Sequence, residues 1–116
     1  MTRINDTKSA LKEFEIAAIK HAEATESGDY KLANRNYDAV IKVIKYLKEQ
    51  SQLKDLSPFM SSSNVGVRVC AARFLLHTEL NSEAKRTLKE ITMTRGIQSL
   101  NAEMILKEWE KGNLKL

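Results

Sequence analysis

One cysteine, one proline and four glycines are all that this chain of 116 residues contains of the three residue types that most constrain a backbone. Cys70 has no second cysteine to pair with, so no internal disulfide can form and a reducing compartment is implied. With Pro58 the lone proline, long stretches run without a helix breaker. Aromatic residues make up 6% of the chain, too few to interleave with basic residues as a stacking platform for single-stranded nucleic acid. No segment approaches the ~20 consecutive apolar residues of a membrane span. Near the start, Asp6, Lys8, Lys12, Glu13 and Glu15 stand where the apolar run of a signal peptide would lie. The expectation is a soluble cytoplasmic protein with no membrane partner.

Charge of one sign is also scarce. The net charge is +4, and it gathers in the middle. Residues 1–28 carry −1, residues 29–60 carry +2, residues 61–95 carry +3, and the remainder balances. Disorder requires low hydrophobicity with high net charge, and 42% hydrophobic residues rule that out. A length of 116 residues suits a single domain, here taken as residues 1–116, that buries roughly two-thirds of its unfolded surface.

What is present is helical periodicity. Five main helices are predicted, over about 7–26, 30–50, 64–77, 82–95 and 99–111. In the first, Leu11, Phe14, Ala18 and Ala22 share a face, and Asp6 is a candidate cap. Ser27-Gly28-Asp29 reads as a tight turn, with Gly28 closing one helix and Asp29 capping the next. In the second, Ala33, Tyr37, Val40, Ile44 and Leu47 form an apolar seam. Between 51 and 63, Leu53 and Leu56 suggest a short helical turn that Pro58 interrupts, with Phe59 and Met60 tucking inward. The third helix is apolar on two sides: Val67, Cys70, Ala71, Phe74 and Leu75 on one, and Val65, Val69, Ala72 and Leu76 on the other. Such a helix is buried between neighbours. The fourth, capped by Asn81, turns Ala84, Leu88 and Ile91 inward. The fifth places Ala102, Ile105, Leu106 and Trp109 on one face. No strand pattern is found. Hairpin, break, hairpin and closing helix form the grammar of a short helical repeat, in which each hairpin covers its neighbour.

Asn64-x-x-Val67-Arg68-x-x-Ala71-Ala72-x-x-Leu75 resembles a HEAT-repeat helix, with Asn64 where an Asp is usual and Gly66 inside the first turn. The resemblance implies that Arg68 has a structural role, reaching a turn of the adjacent repeat. Gly28-Asp29-Tyr30-x-x-Ala33-x-x-x-Tyr37 looks like the start of a tetratricopeptide helix. The arrangement over residues 7–114 includes Ala33-Asn34-Arg35-x-Tyr37-Asp38 and the Ala102…Leu106…Trp109…Gly112 helix. It is similar to a family of small bacterial HEAT-like proteins known as a domain of unknown function (number two thousand and nineteen). The implied fold is all-α, a compact HEAT/armadillo-like α-α superhelix of about five main helices in stacked antiparallel hairpins, without enzymatic activity. Such proteins also resemble immunity proteins, which neutralise a toxin delivered by a neighbouring cell.

Motifs for chemistry are missing. No nucleotide-binding glycine loop, H-E-x-x-H or C-x-x-C occurs. His21 and His77 lie on different helices, and Cys70 and His77 are about 10 Å apart along one helix, too far to share a metal directly. The local carboxylate pairs Glu13/Glu15 and Glu108/Glu110 point apart on their helices. No catalytic residue, cofactor or metal site is therefore expected. Candidate partner-binding residues are the polar interruptions: Asn34, Arg35 and Asp38 in the second helix, with Arg35 able to pair with Asp38, and Arg73 and His77 in the third. The expected function is a non-enzymatic protein-interaction module, most concretely an immunity protein bound to one toxin domain. The alternative is nucleic-acid binding through Lys31, Arg35, Lys42 and Lys45.

Overall fold

A computed structural model describes residues 6–115. It is all-helical, and among the described residues there is no strand. The helices are α1 (Thr7–Ser27), α2 (Tyr30–Glu49), α3 (Val65–Leu75), α4 (Asn81–Thr92) and α5 (Ile97–Glu110), with a 3-10 helix over Leu53–Ser61. By internal packing the chain divides into two compact units, one ending at Leu56 and one beginning at Ser57.

The first unit is an antiparallel hairpin. Asp6 accepts from Ser9 N at 2.7 Å to open α1, a bond that holds its carboxyl below the usual carboxylate range. Gly28 ends α1 in the left-handed region, φ 79°, and Asp29 opens α2 by accepting from Leu32 N at 3.1 Å. The turn is short enough that α2 must return along α1. Ala10, Phe14, Ala17, Ala18, Ala22 and Ala24 of α1 are buried, as are Ala33, Val40, Val43, Ile44 and Leu47 of α2. The alanines carry no bulk, so the two backbones can approach closely. The pairing is visible at both ends. His21 Nδ1 donates to the Ala33 carbonyl oxygen at 3.0 Å near the turn, and the Thr7 hydroxyl donates to Gln52 Oε1 at the open end. At Gly28 an added Cβ would touch nothing within 4 Å, so the cost of Gly28→Ala is conformational alone. It is expected to lower stability by about 1–2 kcal/mol in urea denaturation.

The 3-10 helix differs from expectation. The helical turn expected at Leu53 and Leu56 is present, with both leucines buried, but Pro58 sits inside the helical segment rather than interrupting it. A 3-10 segment accommodates proline because it does not require the continuous i→i−4 ladder that proline breaks. Phe59 and Met60 are only half-buried.

In the second unit α3 packs on α4 and α5, and α4 on α5. Apart from Val65, Arg68 and Arg73, every residue of α3 is buried, as its two apolar stripes require. Asn64 accepts from Val67 N at 3.1 Å, the expected cap. Asn81 does not cap α4. It is the first helical residue, and its Nδ2 donates to the Thr78 carbonyl oxygen at 3.0 Å. Thr78 organises the turn instead, donating to Leu75 O at 2.7 Å and accepting from Leu80 N at 3.0 Å. The helix stops at Thr92, before the expected Arg95. The Thr92 and Thr94 hydroxyls bond back to the carbonyls of Lys89 and Ile91, local bonds that compete with continued helix. Gly96, at φ 111°, redirects the chain and α5 begins two residues earlier than expected, at Ile97. Ser99 Oγ fastens the hairpin by donating to Thr92 O at 3.0 Å.

Candidate interaction site

The outer face of α2 is open. Asn34, Arg35 and Asp38 are all exposed. Arg35 and Asp38 do not form the expected ion pair, whereas Glu103 and Lys107 on α5 do pair, at 3.0 Å. An exposed pair three residues apart gains about 0.2–0.5 kcal/mol at best, too little to hold two mobile side chains together. Asn36 bonds back to the Leu32 carbonyl oxygen at 3.0 Å, so that asparagine is tied to its own helix.

Beside this face, α1 and α2 enclose an open groove of about 580 Å³ lined by Lys20, Glu23, Ala24, Ser27, Leu32 and Asn36. Lys20, Glu23 and Ser27 recur at helical spacing on one side of α1. Leu32 and Asn36 face them from α2. Leu32 is partly exposed and Tyr30, at the helix start, is 76% exposed. Around α2 the angular order is Asn34, Asp38, Arg35, Leu32, Asn36, at 100° per residue. The predicted polar patch therefore runs without a break into the groove. Sequence reading missed the groove because its floor is made of residues, Ala24 and Leu32, that look like ordinary helix-facing positions.

Arg73 and His77 have a different setting. Both are half-buried. Arg73 Nη2 donates to the Lys115 carbonyl oxygen at 3.0 Å, and its guanidinium lies 4.5 Å from the centre of the Phe74 ring. The His77 ring meets Trp109 edge-on at 5.2 Å. These contacts fasten the end of α5 and the segment after it to α3. Arg68 is half-buried, and its Nε is buried without a hydrogen-bond partner among the described residues. Asn34, Arg35 and Asp38 belong to the first unit and Arg68, Arg73 and His77 to the second.

Cys70 is buried, and burial pushes its thiol up to about 12, with Arg73 pulling weakly the other way. A thiol so seldom ionised is a poor nucleophile. His21 is occupied between α1 and α2, its ring 5.4 Å from that of Tyr37. Among the described residues no three of His, Cys, Asp and Glu gather closely enough to hold a metal ion. Within the same residues, no helix is long and apolar enough to cross a membrane.

The chain's whole-length likeness lies with the crystal structure of the protein RPA1889 from Rhodopseudomonas palustris CGA009. The TM-score is 0.85 at 20% identity, over 98% of this chain and 99% of that one. The likeness establishes the fold alone. No family model matches the chain, and no curated protein matches it.

Proposed function

We propose that the chain is a non-enzymatic, HEAT-like protein-interaction module of the bacterial cytoplasm, most concretely an immunity protein that binds and neutralises a cognate toxin domain. The observation that carries this reading is the α1–α2 groove with the open α2 face beside it. Leu32 and Ala24 are its apolar lining and Lys20 and Glu23 its charged lining, with Arg35 and Asp38 exposed on the adjoining face of α2. An apolar centre with a charged rim is the usual anatomy of a protein interface. Tyr30 and Arg35 belong to the residue types that most often anchor one. HEAT-like stacking of the hairpins is the architecture proposed to present this face. The inert Cys70 thiol supports a binding role over nucleophilic chemistry.

The test is affinity capture on the immobilised chain, with a Leu32→Asp/Arg35→Glu double variant as control, followed by a growth assay against the captured protein. A partner held by the original chain should bind the variant at least about 100-fold more weakly, a loss typical of two anchor residues. Protection should vanish with it. Retention of RNA or DNA without any protein, falling steeply with salt, would replace this reading with nucleic-acid binding through Lys31, Arg35, Lys42 and Lys45.

A further inference from the structure

We draw no further inference here: the strongest candidate, the second apolar stripe of α5, formed by Ile97, Leu100 and Met104 on its exposed side, is an unpartnered helix face, and nothing in the structure shows what covers it.

Discussion

Phe74→Ala should cost the second unit about 3–5 kcal/mol. Phe74 is fully buried in α3, as are Leu75, Leu76, Ala71 and Val67. Removing its ring deletes the transfer energy of the side chain and leaves a cavity that a close-packed helix cannot collapse around. It also removes the ring beneath the Arg73 guanidinium, 4.5 Å away, and so loosens the residue that holds Lys115. Against a typical total stability of about 5–15 kcal/mol the loss is large. Urea denaturation followed by Trp109 fluorescence reads it directly, since Trp109 lies in this unit against His77. Phe74→Leu, which keeps most of the volume, should cost less than about 1.5 kcal/mol. A loss below about 1 kcal/mol for Phe74→Ala would mean that α3 is not the centre of this core.

Alkaline pH should destabilise the fold through Cys70. Its thiol titrates near 9.0 when unfolded and is pushed up to about 12 by burial in the native chain. Above pH 9 the unfolded state releases a proton that the folded state retains. The unfolded state then binds fewer protons, so stability falls as pH rises. The contribution is fully present below pH 9 and is lost as pH climbs from there towards 12. Three pH units correspond to roughly 4 kcal/mol at the upper limit. The decisive measurement is the difference between the original chain and Cys70→Ala. Their stability curves should converge as pH rises from 8 to 11. Parallel curves would show that the thiol gains water in the native state.

The parts of the fold legible in the sequence are those set by local chemistry. Asp6, Asp29 and Asn64 cap their helices as their residue types and positions suggest, because a cap is a bond between a side chain and a backbone amide three residues on. Gly28 was legible as a left-handed helix end for the same reason. The end of α4 and the start of α5 were not. There Thr92, Thr94 and Ser99 decide the geometry through hydroxyl bonds at the turn, and no spacing rule identifies which hydroxyl will act. The candidate site divides in the same way. Asn34, Arg35 and Asp38 stand out in sequence as polar residues interrupting a helix, whereas the groove beside them needs α1 and α2 brought together.

The sequence by itself determined which segments are helical and that α3 is buried on both sides, because 3.6-residue periodicity is a property of one helix. Tertiary structure alone decided what each polar interruption does. Arg35 and Asp38 stay open to solvent, while Arg73 and His77 are taken up by Lys115 and Trp109. It also decided that the second apolar stripe of α5 faces water. A helix carries two faces in its sequence, and only its neighbours determine which of them is covered.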